Sequence, residues 1–389
     1  MCIADKVNER FMALYHTTPL LILSPGRVNI IGEHTDYNDG FVLPAAIDKK
    51  IALAIAPSGS GRCTVHAAAL EDSFSFDCRE EVRPAEGWKN YILGVVHHLQ
   101  QRGYRIDGFN AVFDGDIPIG SGLSSSAAVE GAFSFGLTQV FGLDAERFEL
   151  ALIGQQAEHT FVGVNCGIMD QFANLHGRKN QLIRLDCRDL SYVYVPFNFP
   201  GYKIVLCNTM VHHSLASSAY NERRRQCEEG VKVLRDHYPE VKSLRDVTPA
   251  MLEEHKTALD STVYRRCRYI VEETERVVAA CACLEKDDLL GLGRLMDATH
   301  DGLSGDYEVS CPELDYLVSL ARPRSEVIGS RMMGGGFGGC TINIVEADAV
   351  KDFSDHITDA YTRQYGKRPD IYVTTIEEGT HAVSYPPAP

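Results

Sequence analysis

Hydrophobic positions follow two spacings along the first half of the chain, and each spacing predicts one kind of element. Short apolar runs, which are typical of strands, occupy residues 20–23 and 51–55. Apolar residues at helical spacing predict helices over residues 88–99, 124–141 and 144–161. The first half of the chain is therefore predicted to contain both strands and helices.

The second half begins near residues 196–201, where the sequence FNFPG separates two strand-like runs. A chain of 389 residues is longer than one hydrophobic core usually organises, so we predict two domains, 1–198 and 199–389. The predicted elements flanking and following the boundary are strands at 192–195, 202–206 and 340–345 and helices at 219–238, 262–284 and 312–321. We expect the tail SYPPAP to lack fixed structure.

Charge and cysteine usage exclude several classes of function. There are 53 acidic against 38 basic residues, a net charge of −15, which repels nucleic acid and anionic lipid. The densest basic run, 223–225, is followed by Glu228 and Glu229, which indicates a solvated helix face. No membrane span or secretory signal is evident, and the twelve cysteines include no C-x-x-C pair. We therefore expect reduced thiols, a cytoplasmic protein, and no nucleic-acid or membrane partner.

A Gly/Ser segment, PIGSGLSSSAA at 118–128, leads into the helix predicted at 124–141. Backbone N–H groups at a helix N-terminus suit a phosphate chain. The lysine-containing phosphate loop is excluded because Gly115 and Gly120 have its spacing, but Ser121 stands where lysine is required. A nucleotide's charge would then be met by Mg²⁺ and backbone dipoles, and the expected metal ligands are serine hydroxyls and a nearby carboxylate. An ordinary Gly/Ser loop with a serine cap is the competing interpretation.

The glycine cluster GGGFGG at 334–339 contains the spacing G-x-G-x-x-G of dinucleotide-binding loops. That motif requires a preceding strand and a following helix, whereas a strand-like run, CTINIV, follows this cluster. We therefore interpret the cluster as a turn that lets the backbone approach a substrate or another part of the chain.

The segment PGRVNIIGEHTDYNDG at 25–40 concentrates polar groups around turn-forming glycines. His34 and Asp36 could begin a metal site, or the carboxylates could accept hydrogen bonds from sugar hydroxyls. The absence of a second His or Cys pair nearby favours the sugar site. A solvated polar turn is the third interpretation.

A single carboxylate stands among apolar neighbours in CGIMDQF at 166–172. A carboxylate in such a run is either paired or functional. We predict that Asp170 pairs with Arg27.

Taken together, these segments resemble the GHMP family of sugar and small-molecule kinases. PIGSGLSSSAA is similar to the family's phosphate-binding motif and GSRMMGGGFGGCTI to its third motif. Further matches lie at HHSLASSAYNERRRQCEE and SCPELD, so the resemblance covers residues 20–380. PGRVNIIGEHTDYNDG narrows it to the galactokinase-like branch.

The resemblance implies a two-domain α+β GHMP kinase fold with its active site in the cleft between the domains. It implies MgATP-dependent phosphorylation of D-galactose at the anomeric hydroxyl to galactose 1-phosphate and ADP, the first committed step of galactose catabolism. A monomer is favoured. Carried over by position, the implied site residues are: catalytic, Arg27 and Asp170; galactose-binding, Glu33, His34, Asp36, Gly167, Asp170 and Tyr220; ATP-binding, Gly120, Ser121, Gly122, Leu123, Ser124, Ser125 and Ser126; and Mg²⁺-binding, Ser126 and Glu158. Trp88 is placed either near the adenine or in the core.

Phosphoryl transfer needs positioning and charge neutralisation more than a strong base. An adjacent arginine favours the ionised form of Asp170, which makes it a weak base that accepts a proton late. Whether Asp170 acts as a base or as an orienting charge stays open at this level. An N-acetylgalactosamine kinase and a non-catalytic galactose sensor are the alternative functions. The intact phosphate motif, Arg27 and Asp170 favour catalysis over the sensor.

Overall fold

The computed structural model describes residues 2–118, 120–211 and 216–383. The tail SYPPAP, residues 384–389, lies outside the described residues. In chain order the helices and strands are α1 (Ile3–Tyr15), β1 (Leu20–Asn29), β2 (Phe41–Val42), β3 (Pro44–Pro57), β4 (Arg62–Ala67), β5 (Asp72–Asp77), α2 (Lys89–Gln101), β6 (Phe109–Gly115), α3 (Ser125–Phe141), α4 (Arg147–Ala157), α5 (Met169–His176), β7 (Gln181–Asp186), β8 (Tyr192–Pro196), β9 (Tyr202–Asn208), α6 (Ala216–Arg235), α7 (Pro249–Glu254), α8 (Ser261–Leu284), α9 (Leu289–Gly305), α10 (Pro312–Ala321), β10 (Val327–Met332), β11 (Cys340–Glu346), α11 (Val350–Tyr365), β12 (Asp370–Thr374) and β13 (His381–Val383).

The first sheet has the strand order β13-β1-β3-β6-β4-β5, with only the β4–β6 pair parallel among the described strands. Alternate residues of its strands face opposite sides, as the pleat requires. Leu21 and Ala54 pack with α1 on one face, whereas Ile22 and Leu53 join the core under α3 on the other. Both faces are therefore covered, which explains why β3 is apolar at nearly every position.

The second sheet has the order β10-β11-β9-β12 and is antiparallel throughout. Val205 and Cys207 pack against α10 and α11. Ile204 and Leu206 face the other way and belong to the same hydrophobic core as the first sheet. The two halves of the chain consequently share one core rather than meeting only at a polar surface.

The strand β13 comes from the second half of the chain but pairs with β1 in the first sheet, with Leu21 opposite Val383. A small third sheet, β2-β7-β8, lies beside the first. The domain boundary at 198/199 stays a prediction, and residues 381–383 complete the first sheet. Within the described ranges, no helix has the length and apolar character needed to cross a membrane.

The predicted helices at 88–99, 124–141, 262–284 and 312–321 correspond to α2, α3, α8 and α10 within two residues. The predicted strands also lie within observed strands.

Two predicted helices have wrong boundaries. The helix predicted from residue 144 begins at Arg147 because Glu146, not Asp144, is its N-cap. It ends as expected before Gly163, but its last residues, Glu158–Val162, form a wider π-turn. The helix predicted at 219–238 is α6, which ends at Arg235, where the Nε of Arg235 donates to the carbonyl of Val241 in the following turn.

Candidate active site

A cavity of about 460 Å³ lies where the segment after β1, the N-terminus of α3, the start of α5 and the glycine cluster at 334–339 meet. It receives residues from both halves of the chain. Of the predicted site residues, it is lined by Arg27, Glu33, His34, Asp36, Gly120, Gly122, Leu123, Ser124, Ser125, Ser126, Glu158, Gly167, Asp170 and Tyr220. Segments up to 300 residues apart in sequence are thus brought to one place.

Ser121 is the predicted site residue that does not line this cavity. Its side chain is buried, and its hydroxyl donates to the carbonyl of Pro118 at 2.6 Å. Ser121 therefore stabilises the loop by a bond within the loop itself and does not face the cavity. Trp88 also lies outside the cavity lining, where it packs against Phe74 and Phe113 and donates from Nε1 to Asp72 at 3.0 Å.

Asp170 is paired with Arg27, as the sequence predicted. The Nε and Nη2 atoms of Arg27 donate to the two carboxylate oxygens at 2.8 and 2.7 Å, which is a bidentate arrangement. Arg27 also donates from Nη1 to the carbonyl of Gly122 at 2.5 Å, and Ser124 donates its hydroxyl to Asp170. The arginine side chain is 5% exposed and the aspartate 30%, so the carboxylate faces the cavity while the guanidinium is buried behind it.

The Gly/Ser segment 120–126 approaches the cavity through residues with unusual backbone angles. Gly120 and Gly122 have φ of +72° and +76°, and Ser124, the N-cap of α3, has φ of +59°. A serine in the left-handed region costs free energy. The hydrogen bond from Ser124 to Asp170 holds it there, and α3 begins at the next residue. The loop therefore brings the N-terminus of a long helix to the cavity, which is the arrangement that binds anions.

Ser126 and Glu158 both line the cavity beside this helix N-terminus, and the serine side chain interacts with the carboxylate. Glu158 is 7% exposed, and burial, opposed by the bond from Ser126, raises its pKa to about 7. A divalent cation would compensate a carboxylate in that position, and both groups offer the oxygen ligands that Mg²⁺ prefers. In the described parts of the chain, no group of three or more His, Cys, Asp or Glu side chains could hold a metal ion. The oxygen donors of Ser126 and Glu158 are of the kind that fits Mg²⁺, and they are two in number.

Asp36 and Gly167 form a close contact on the other side of the cavity. A Cβ built on Gly167 would lie 2.0 Å from Oδ2 of Asp36, so only glycine leaves room for this carboxylate. Burial, together with the nearby charge of Asp170, raises the pKa of Asp36 to about 7. The carboxyl group accepts a hydrogen bond from the backbone N–H of Tyr37 at 3.0 Å.

His34 sits in the left-handed region, with φ of +64°, among aromatic rings. The ring centroids of Tyr220 and Tyr307 lie 5.2 and 4.9 Å from its imidazole. Burial lowers the pKa of His34 to about 3, so the ring is neutral at physiological pH. It can therefore donate one hydrogen bond and accept another.

Glu33 is fully buried and joins the segment 25–40 (the signature segment) to the glycine cluster at 334–339. Its Oε1 accepts from the backbone N–H of Gly334 at 2.7 Å and lies 3.2 Å from Nη1 of Arg331. Asn29 donates to its other oxygen. Burial raises the pKa of Glu33, and the charge of Arg331 opposes that change.

Sequence reasoning did not find Arg331, which is fully buried and donates to the carbonyls of Ile30 and Met332 at 2.8 and 2.6 Å. A charged residue just before a glycine cluster, in the run GSRMMGGG, was the available signal. Tyr91 of α2 also lines the cavity and was not predicted. Nothing in its helical pattern separates it from the core-facing residues around it.

Comparisons with known proteins identify the family to which the chain belongs. A family model for the galactokinase galactose-binding signature matches residues 9–57, and models for the N-terminal and C-terminal GHMP kinase domains match residues 90–178 and 280–362. A galactokinase of Roseiflexus sp. (strain RS-1) is 41% identical over 379 residues, which are 97% of each chain. A galactokinase of Chloroflexus aurantiacus is 42% identical over 369 residues, 95% of this chain and 94% of its own.

Solved structures give the same result for the fold. Lactococcus lactis galactokinase, crystallised with galactose, matches with a TM-score of 0.93 at 35% identity and covers 98% of this chain and 100% of its own. Methanococcus jannaschii mevalonate kinase has a TM-score of 0.67 at 16% identity, covering 93% and 99% of the two chains. The second comparison shows a shared fold alone.

Proposed function

The chain belongs to the galactokinase family of GHMP kinases, and from that premise we propose how its cavity phosphorylates D-galactose with ATP. The triphosphate lies at the N-terminus of α3, and the sugar lies between Asp36, His34 and Asp170. The anomeric hydroxyl attacks the γ-phosphorus, the bond from that phosphorus to the bridging oxygen of ADP breaks, and the products are galactose 1-phosphate and ADP. The bidentate pair of Asp170 and Arg27 at the cavity wall is the observation that carries the proposal.

Asp170 orients the anomeric hydroxyl and accepts its proton late in the transfer. Three hydrogen bonds, two from Arg27 and one from Ser124, fix the direction of the carboxylate. Few lone pairs remain for the substrate, so Asp170 works as a positioned weak acceptor, which suits a loose transition state. Arg27 keeps the pair neutral and stabilises negative charge on the phosphoryl group as it moves.

Ser126 and Glu158 are the residues that would hold Mg²⁺. The ion would neutralise charge on the phosphate oxygens when bound. The backbone N–H groups of the loop 120–125 direct positive partial charge at the same phosphates. The hydrogen bond from Ser124 to Asp170 holds this loop beside the carboxylate.

Sugar recognition depends on several polar groups fixed at short spacing. Asp36 is held by the backbone and by the space that Gly167 leaves, and His34 by the rings around it. Glu33 is engaged with Arg331 and Gly334, so we propose that it sets the distance between signature segment and glycine cluster. Tyr220 covers the imidazole and closes the sugar site.

A coupled assay of ADP release against a panel of sugars tests the proposal. Galactose and glucose differ at one hydroxyl, and an unpaired buried polar group costs about 1–3 kcal/mol. We expect galactose 1-phosphate as product and a kcat/KM for glucose at least about tenfold lower. Galactose binding without ADP release would identify a sensor. Faster turnover of N-acetylgalactosamine than of galactose would identify the alternative kinase.

We also propose a cytoplasmic location for this reaction. All twelve cysteines are free, and nine of them are buried. Buried reduced thiols suit a reducing compartment.

A further inference from the structure

A chain of hydrogen-bonded groups runs from His34 at the cavity into the second half of the molecule. The hydroxyl of Tyr37 lies 2.7 Å from Nδ1 of His34, and the hydroxyl of Tyr307 lies 2.7 Å from that of Tyr37. The Sγ of Cys227 lies 3.3 Å from the hydroxyl of Tyr307. His34 and Tyr37 belong to the signature segment, whereas Tyr307 follows α9 and Cys227 belongs to α6. This hydroxyl chain therefore connects both halves of the protein to one side of the imidazole.

The packing around the hydroxyl chain leaves the imidazole little freedom. Tyr307 is fully buried between the rings of His34 and Tyr269, whose centroids lie 4.9 and 4.8 Å away. Tyr220 lies 5.2 Å from the imidazole and 5.4 Å from the ring of Tyr37. Because the ring cannot turn freely, the hydroxyl chain decides which nitrogen carries the proton.

Two directions of donation are possible along the hydroxyl chain. In the first, the Cys227 thiol donates to Tyr307, Tyr307 donates to Tyr37, and Tyr37 donates to Nδ1, so the imidazole proton is on Nε2. In the second, every donor is reversed and the proton is on Nδ1. The neutral ring has only one proton to place, because burial lowers the pKa of His34 to about 3.

The chemistry of the first contact favours the first direction. A phenol hydroxyl is a stronger donor than a neutral imidazole N–H, and an imidazole nitrogen is a stronger acceptor than a phenol oxygen, so the short contact of 2.7 Å is best made by donation from Tyr37 to Nδ1. Among the described residues, Nε2 is buried and has no partner that meets ordinary hydrogen-bond geometry. A proton on Nε2 is therefore not engaged by the described residues and stays available to a ligand in the cavity that His34 lines.

We infer that Tyr37 and Tyr307 are positioning residues that hold His34 in the Nε2–H tautomer, so that its imidazole donates a hydrogen bond to a galactose oxygen. The identity of the acceptor rests on the proposed function; the tautomer does not. Tyr307 places this control in the second half of the chain, although the sugar-binding signature is in the first.

The kinetic test uses conservative variants that remove one hydroxyl each. Tyr37→Phe removes the direct donor to Nδ1, so we expect the galactose KM to rise about tenfold or more, with kcat and the ATP KM changing less than about twofold. Tyr307→Phe leaves Tyr37 in place but removes the hydroxyl that donates to it, so Tyr37 is no longer fixed as a donor to Nδ1. We expect the galactose KM to rise about three- to tenfold in this variant. Tyr361→Phe is the matched control, because it also removes a buried hydroxyl, one that donates to the carbonyl of Thr209 at 2.8 Å. It should leave the galactose KM within about twofold of wild type.

Two further measurements separate positioning from general destabilisation. In a His34→Ala background, Tyr307→Phe should change the galactose KM less than about twofold, because its effect is transmitted through the imidazole. Nitrogen NMR of the wild-type imidazole, assigned by its loss in His34→Ala, should show a proton on Nε2 and none on Nδ1, and Tyr37→Phe should give a mixture. A proton on Nδ1 in the wild type, an unchanged KM in Tyr37→Phe, or a Tyr307→Phe effect that persists without His34 would overturn the inference. If galactose is not turned over, the proposed function fails while the NMR result still decides the tautomer.

Discussion

Removing either member of the Arg27–Asp170 pair should abolish most turnover, and the size of the loss can be worked from the structure. The pair has two hydrogen bonds of 2.8 and 2.7 Å, and the arginine side chain is 5% exposed. Deleting one partner of a buried ion pair costs about 3–5 kcal/mol, because the other charge is left uncompensated. If the same cost is added to the activation free energy, kcat in Asp170→Ala or Arg27→Ala falls about 10²- to 10⁴-fold.

The double variant distinguishes a cooperating pair from two independent residues. Once one partner is gone, removing the second relieves the buried unpaired charge, so the two losses should be strongly non-additive. The assay is coupled ADP release at saturating galactose and ATP, with thermal unfolding of every variant measured alongside. Arg79→Ala is the control, since its pair with Asp107 is exposed at both ends, 65% and 58%, and contributes about 1 kcal/mol at most. A kcat within about tenfold of wild type in either single variant, or simple additivity in the double variant, would refute the reasoning.

Three other substitutions test separate parts of the cavity. Glu158→Gln should raise the Mg²⁺ concentration for half-maximal rate about tenfold or more, while the galactose KM changes little. Glu146→Gln, at an exposed position, is the control. Unchanged Mg²⁺ dependence in Glu158→Gln would remove Glu158 from the metal site. Burial raises the pKa of Asp36 from 3.8 to about 7, so its stabilising contribution is complete below pH 3.8 and is lost as the pH rises to about 7. Between pH 4 and pH 7, the free energy of unfolding of Asp36→Asn should therefore rise relative to that of wild type by up to about 4 kcal/mol. A difference between the two proteins that does not change with pH would contradict this. Gly167→Ala should raise the galactose KM about tenfold or more, because its Cβ would lie 2.0 Å from the Asp36 carboxylate. Gly201→Ala, which has open space around it, is the control and should leave the KM unchanged. Equal KM values in the two variants would argue against this contact.

Elements with strong periodicity or a defined end were predictable from sequence. The helix α3 was located because apolar residues recur over four turns and Gly142, with φ of +61°, ends it. The start of α4 was misplaced because Asp144 is the better N-cap by residue type, whereas the helix is capped at Glu146 without a side-chain hydrogen bond, so the local capping signal does not set its start. The helix α9 was missed, since its sequence LLGLGRLMDATHDGLSG contains four glycines that weaken its helical propensity. Packing explains Gly293, because a Cβ there would lie 1.8 Å from the carbonyl oxygen of Ile328, whereas Gly305 has open space around it.

Site residues were predictable where the sequence pattern of their own segment marks them as functional, and not where only the folded structure shows their role. The pairing of Asp170 with Arg27 followed from a carboxylate in an apolar run and an arginine in a polar segment. Arg331 and Tyr307 could not be assigned in the same way, because their partners Glu33 and Tyr37 lie about 300 and 270 residues away. The direction of the Ser121 side chain was likewise set by the fold of the loop rather than by its composition.

The return of β13 to the first sheet has a consequence for folding during synthesis. The outer edge of β1 exposes unpaired backbone groups until residues 381–383 have left the ribosome, although its partner β3 is complete by residue 57. At about 5–20 residues per second, the 324 residues between positions 57 and 381 take roughly 15–65 s to translate. For that time the nascent first sheet has an open edge of the kind that pairs with other chains. Closing that edge has to wait for β13, so a chain whose synthesis stops before residue 381 keeps the β1 edge exposed.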